Sequence, residues 1–290
     1  MLKRVAASVL AALGLLVAYG LLIEPRLILD EERVAASLPA MSGEGATVAV
    51  FGDLQVGMWF ANEGMVEQAV AAVVAERPDA ALLTGDFVLS RDPNPAVQID
   101  RVLELLAPLL DSDIPTFAVL GNHDHAVRAA DQVDAALTAR GVQVLRNEAA
   151  PVPGTGGLHV VGIGALQPGL ADVDAALASV PDGAPRIVLM HNPATFPMLP
   201  AGSAPLAVAG HTHCGQIVVP GLPAWSYLEL TSAERVVTDG FADVPTYGAP
   251  GNRLYVNCGI GFSLVPMRIG APPELTFVEL RASGPPPPTR

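Results

Sequence analysis

The sequence predicts a layered α/β domain carried behind one apolar N-terminal helix. Three observations lead there. Short, continuous apolar runs alternate with helix-forming segments between residues 47 and 281, glycine and proline punctuate the ends of both, and residues 5–23, VAASVLAALGLLVAYGLLI, form an uncharged run long enough to cross a bilayer.

The elements follow in chain order. Lys3 and Arg4 precede the apolar run and Glu24-Pro25 ends it, so residues 1–23 read as an uncleaved membrane anchor. A cleaved signal peptide is the rival, but its apolar region is usually shorter and closes on small residues, whereas this one closes on LLIEP. Basic residues before the span and acids after it place the main domain outside the cytoplasm, on a single-pass cell-membrane protein. Residues 24–46 read as a connector. TVAVF (47–51), AALLT (80–84), TFAVL (116–120), HVVGI (159–163), RIVLM (186–190) and PLAVA (205–209) are the continuous runs expected of strands covered on both faces. Residues 63–76, 97–111, 127–140 and 172–180 have helical composition and spacing, and Pro78, Pro115 and Pro181 punctuate them. The Pro-rich end, 282–290, reads as a disordered tail.

Composition removes several functions. The chain has 29 acidic residues against 16 basic ones and a net charge of −13, which repels a nucleic-acid backbone. Lys3 is the only lysine, so no Walker-type phosphate loop exists, and no G-x-S-x-G nucleophile elbow is present. Two cysteines, Cys214 and Cys258, do not make a disulfide scaffold.

Five strand ends carry the chemistry. TVAVF leads into Gly52-Asp53-Leu54-Gln55, AALLT into Gly85-Asp86, TFAVL into Gly121-Asn122-His123-Asp124, RIVLM into His191, and PLAVA into Gly210-His211-Thr212-His213. Open α/β sheets collect their active sites at the carboxyl ends of strands. Any one Gly-Asp is ordinarily a turn, and a lone His is ordinarily structural. Together they would crowd acids and imidazoles without compensation unless cations sit among them, which predicts a metal site. If the segment stays extended, His211 and His213 point the same way and reach one pocket.

In order and spacing, Asp53-x-Gln55, Gly85-Asp86, Gly121-Asn122-His123-Asp124, His191 and Gly210-His211-x-His213 resemble the calcineurin-like metallophosphoesterase superfamily. The anchor, GHTHCGQI and the closing YVNCGIGFSLVPMRIGAPPELTFVEL are similar to its membrane-anchored YkuE-like branch. The resemblance implies a four-layer αββα sandwich over residues 47–281 and a dinuclear phosphoesterase. Asp86 would bridge two divalent ions, Mn²⁺ foremost, with Fe, Zn²⁺ or Mg²⁺ as alternatives. Asp53 and His213 would hold the first ion, where Gln55 can still ligate, and Asn122, His191 and His211 the second. A metal-activated hydroxide would attack the phosphate ester, His123 would act as general acid or electrostatic stabiliser, and Asp124 would fix its ring.

The chain departs from the family pattern in three places. Gln55 stands where a histidine is usual, and an amide oxygen is a weaker, harder ligand. Cys214 replaces a glycine and Cys258 an arginine; the two could pair, ligate a softer metal or be small buried apolar residues. In VGMWF (56–60), Met58, Trp59 and Phe60 could contact an acyl chain or the bilayer surface, or could merely pack the loop onto the domain. The expected function is hydrolysis of a phosphate ester, lipid-linked or from the envelope. The alternatives are a UDP-2,3-diacylglucosamine-type pyrophosphatase of lipid A biosynthesis, whose substrate is cytoplasmic, and a non-catalytic metal-stabilised binding module.

Overall fold

The computed structural model describes residues 1–41, 43, 45–89, 94–219, 222–227, 239–242 and 247–282. Helix α1 (Leu2–Leu22) is followed at once by a short turn of helix, α2 (Glu24–Leu27), and by strand β1 (Asp30–Leu38). Next come β2 (Ala46–Phe51), α3 (Glu63–Glu76), β3 (Ala80–Leu83), α4 (Ala96–Leu110), β4 (Thr116–Ala118), α5 (Asn122–Ala126), α6 (Ala130–Ala139) and β5 (Gln143–Val144). The second half runs β6 (Glu148–Pro151), β7 (His159–Gly162), α7 (Val173–Ala178), β8 (Arg186–Leu189), β9 (Ala207–Ala209), β10 (Val218–Val219), β11 (Leu222–Ser226), β12 (Gly240–Phe241), β13 (Leu254–Val256) and β14 (Glu274–Ala282).

Two six-stranded mixed sheets result, ordered β1-β14-β2-β3-β4-β5 and β12-β13-β9-β8-β7-β6, beside a β10-β11 ribbon. Side-chain alternation sets the layers. In the first sheet Ala49, Phe51, Ala81, Leu83 and Ala118 face α3, α4 and α6, burying Val66, Val70, Leu106 and Leu137. The intervening Val48, Val50, Leu82 and Phe117 point the other way and meet Val160, Ile187, Leu189 and Val208 of the second sheet. That sheet's outer face, Val161, Val188 and Val256, packs against Val173 and Ala176 of α7. Both faces of each central strand are therefore apolar, which is why these strands read as unbroken hydrophobic runs.

The α/β architecture agrees with the sequence reading, but the stretch 24–46 departs from it. Rather than a loose connector, it supplies α2 and β1, and β1 pairs in parallel with β14 from Asp30↔Glu274 to Leu38↔Ala282. As an edge strand with one solvated side, DEERVAASL opens on four charged residues, Asp30 to Arg33, and so resembles a charged connector. Ala282 closes β14; the remainder of the Pro-rich tail lies outside the described residues.

Candidate metal centre

Strands β2, β3 and β4 run parallel to one another in the first sheet and β8 and β9 in the second, and the carboxyl ends of all five converge. Tight turns bring the polar residues together. Non-glycine residues with positive φ concentrate here: Asp53 (51°), Gln55 (53°), Asp86 (55°), His211 (73°), His213 (48°) and Cys214 (49°). Such backbone is costly and persists where the surroundings hold it, as functional sites do. Two glycines are obligatory for space. A Cβ on Gly121 would collide with the Asp86 carboxylate, and one on Gly210 with that of Asp53.

The paired histidines are not presented by strand alternation. β9 ends at Ala209, His211 is left-handed, and His213 begins a 3-10 turn. They accordingly face different partners. His211 Nδ1 lies 3.1 Å from His191 Nε2, whereas His213 Nε2 lies 3.5 Å from Asp53 Oδ1.

His191 is the centre of one half. Its Nδ1 is 2.8 Å from the Thr84 carbonyl, an acceptor only, so Nδ1 carries the proton and donates. In a neutral ring Nε2 then presents a lone pair. Yet Nε2 faces Asn122 Oδ1 at 2.9 Å, His211 Nδ1 at 3.1 Å and Asp86 Oδ2 at 3.4 Å, all of them acceptors or able to be. The His211 ring can also donate, but the Asn122 and Asp86 oxygens at this point are matched by a cation: a second proton on His191 or a metal ion. Burial opposes that proton, but Asp86, Asp53 and the Thr84 carbonyl favour it and hold His191 at about 9. Asp86, His191 and His211 also have ligand atoms close enough to share one ion. The residues fit a divalent cation.

The other half is built on Asp53 and Gln55. Asp53 is fully buried; its carboxylate accepts the His211 backbone N–H at 3.0 Å, and burial, reinforced by Asp86, pushes it up to about 6. Gln55 Nε2 donates to Asp86 Oδ2 at 2.9 Å, while its buried Oε1 has no hydrogen-bond partner, an orphan a cation would satisfy. For Asp86, burial alone would raise the pKa, but the His191 charge and hydrogen bond and the nearby His123 and His211 hold it well below the carboxylate range.

His123 sits at the mouth, about a fifth exposed. Its backbone N–H donates to Asp86 Oδ1 at 2.8 Å and its Nε2 stands 4.0 Å from Asp86 Oδ2. Burial lowers its pKa, against the pull of Asp86. The expectation that Asp124 orients this ring is corrected. Asp124 points inward and accepts four backbone N–H groups, from Asp86, Phe87, Val88 and Gly121. Its carboxylate ties the turn after β3 to the turn after β4, and so sets Asp86 against Asn122.

Three contributors were not singled out in the sequence. Thr84 acts through a backbone carbonyl, which leaves no sequence signal. Arg268 is fully buried and donates to the carbonyls of Cys258, Gly259, Gly261 and Ala271, its Nη2 3.3 Å from His213 Nδ1. As the sole basic residue between 254 and 280 it stood out, had the apolar closing segment been searched for a buried ion. Gln216 ties the turn holding His213 to Ser263 and Val265. Cys214 and Cys258, left open by the sequence, are joined by a disulfide with their Cα atoms 4.8 Å apart, so neither is a thiolate ligand.

A mixed double sheet with carboxylates, amides and imidazoles gathered at its strand ends defines a metal-binding hydrolase of phosphoric esters. The chain belongs to the calcineurin-like phosphoesterase family, whose model matches residues 46–215. It is 26% identical to the uncharacterized metallophosphoesterase YkuE of Bacillus subtilis over 91% of this chain and 90% of that protein. It is 30% identical to the phosphodiesterase YaeI of Escherichia coli over 76% and 77% of the two chains. A Bos taurus transmembrane protein with a metallophosphoesterase domain is 25% identical over 95% of this chain and 61% of its own length.

Proposed function

We propose that the chain is a membrane-anchored phosphoesterase that works with two divalent cations outside the cytoplasm. The observation that carries this reading is the convergence on His191 Nε2: a tautomer set by Thr84, facing the oxygens of Asn122 and Asp86 and the ring of His211. Asp86 would be shared between the ions, with Asn122, His191 and His211 completing one set and Asp53, Gln55 and His213 the other. The oxygen-rich set of Asp53, Gln55, His213 and Asp86 favours Mn²⁺. Bound there, the cations would polarise a phosphoryl oxygen and lower the pKa of water between them. The chain's own residues do the rest. His123, partly exposed at the mouth, can hand a proton to the leaving oxygen or steady its charge. Asp124 and Arg268 hold the loops whose relative position sets the spacing of the two ligand sets.

The anchor reading is supported by α1, which with α2 forms an apolar helical stretch over residues 2–27 whose most apolar part is almost wholly uncovered. Lys3 and Arg4, directly ahead of the span, support an outside domain, while Arg26 and Arg33 behind it weaken that bias. The disulfide supports an oxidising compartment. Purified full-length chain, stripped of metal and resupplied with Mn²⁺, should hydrolyse aryl phosphate mono- or diesters, and Asp86→Asn should not. Equal turnover by the two proteins, or none by the Mn²⁺-loaded chain on either ester, would end this reading.

A further inference from the structure

The end of the membrane helix is not a free tether. Gly20, in the last turn of α1, is buried; its carbonyl accepts the Arg268 backbone N–H at 3.0 Å, and a Cβ there would meet Ile269 Cγ1 at 2.6 Å and Met267 Cγ at 2.9 Å. The buried Glu24 carboxylate accepts the N–H groups of Gly270 and Ala271. Arg26 donates to the carbonyls of Phe60 and Ala61 and stacks 4.0 Å over the Phe60 ring and 5.0 Å from that of Phe262. Asn62 donates back to Pro25. Two loops, 57–62 and 259–271, therefore grip the chain where it leaves the span.

The same two loops border the metal centre. The first follows Gln55 directly, and Met58 N–H donates to its carbonyl. The second is tied to the Asp53 carbonyl through Gly261 and to the His213 turn through Gln216. Each also leaves large apolar side chains in the open. Met58 is buried, but Trp59 is 66% exposed, Phe60 53% and Leu264 61%. Packing thus accounts for Met58 and, through Arg26, for one face of the Phe60 ring, but not for Trp59 or Leu264.

We infer that Trp59, Phe60 and Leu264 seat on the surface of the bilayer that holds α1, so that the centre receives phosphate esters presented in the headgroup layer by amphiphilic molecules. This rests on α1 being a span. A helix of 21 residues is about 31 Å long, close to the roughly 30 Å hydrocarbon thickness, which puts Gly20 at the edge of the core. Loops packed on Gly20 and Arg26 then lie at headgroup depth, the level that amphipathic aromatic rings occupy. Continuity with the span selects the bilayer as the occupant, and the net charge of −13 makes insertion, not attraction to anionic lipid, the source of the contact.

Full-length protein reconstituted in phosphatidylcholine vesicles tests this. Lipids brominated at shallow acyl positions should quench part of the tryptophan emission, and that quenchable part should vanish in Trp59→Phe. A fluorophore on Gly14→Cys, where nothing lies within 4 Å, reports separately on whether α1 is inserted. An inserted span with Trp59 open to aqueous acrylamide and untouched by the brominated lipids would overturn the seating alone. A Gly14 label in water would overturn the span and the seating together. Neither readout depends on turnover, so both stand apart from the assignment as a phosphoesterase.

Discussion

The two halves of the metal centre are built from the same strand ends and share Asp86, yet they balance charge differently. Around His191, acceptors converge and no fixed cation stands among the contacts found there; without metal, the balance falls to a proton held up to about 9. Around His213, a buried guanidinium is already in place. Arg268 lies 3.3 Å from His213 Nδ1, and burial together with that charge keeps the ring well below its ordinary pKa. Asp53 in turn supports the Arg268 charge, which burial lowers to about 10. A divalent ion entering the first environment replaces a proton; one entering the second meets a resident cation. On this account a tight ion is expected in the His191 half and a loose one in the His213 half.

The largest test removes what the halves share. Asp86→Asn takes a charge from both sets, so both ions should be lost and turnover should fall by about 10³-fold or more. His123→Ala should keep both ions and lose on the order of 10²-fold, as for a general acid. Elemental analysis of the purified variants checks the pair. A fully loaded Asp86→Asn would show that the halves do not share this carboxylate.

Much of this centre was legible because parallel strands buried on both faces announce themselves as apolar runs, and the polar residue after each run marks the sheet's carboxyl edge. Asp53, Asp86, Asn122, His191 and His211 were found that way. What local sequence could not reveal was direction at a turn. The positive φ values after β9 aim His211 and His213 apart, and Asp124 turns inward to four backbone amides instead of toward His123. β1 escaped notice because the charged block Asp30 to Arg33, solvated at the sheet edge, makes the strand read like a connector. Arg268 is 55 residues from His213, and only the closed fold brings them together.

Next in size is the disulfide, which lies wholly on the His213 side. Cys214 follows His213, and Cys258 precedes the loop that Arg268 holds. Closing a loop with a separation of 44 residues contributes up to about 4 kcal/mol in the chain-entropy account. Reduction should lower the urea midpoint, and should release the loose ion before the tight one. Loss of the tight ion first would reverse the comparison.

The proton on His191 gives a pH test of about 3 kcal/mol, for a shift from 6.5 to about 9 in a fully buried group. Its folded pKa lies above the unfolded one, so this stabilisation is complete below pH 6.5 and is lost as pH rises through 9. Glu274, raised to about 7 by burial, has the same sign at lower pH: stability falls between about 4.5 and 7 as its buried carboxyl is forced to ionise. The buried His213 and His123, whose pKa values are lowered, work the other way below pH 7, so metal-free protein should weaken clearly from pH 7 to 9.5 in urea denaturation. With the tight ion bound, the upper part of that decline should disappear, because metal has taken the proton's place. A decline above pH 7 unchanged by metal would remove His191 as its ligand.

The smallest expected effect isolates Gln55. Its Nε2 donates to Asp86 Oδ2, and its orphaned Oε1 is the weakest donor in the loose half. In Gln55→His an imidazole nitrogen would replace a neutral amide oxygen without adding charge to be compensated, so the loose ion should bind about tenfold tighter, a difference of about 1.4 kcal/mol. The tight ion should change less, since Gln55 reaches the His191 half only through the Asp86 Oδ2 to which it donates. Turnover need not follow affinity, because tighter metal and a better-poised water are separate effects. Calorimetric titration of Mn²⁺ into metal-free wild type and Gln55→His reads both sites at once. Two equally tight ions in the wild type, unchanged in the variant, would show that Arg268 imposes no penalty on the His213 half and that the orphaned amide oxygen is not a ligand.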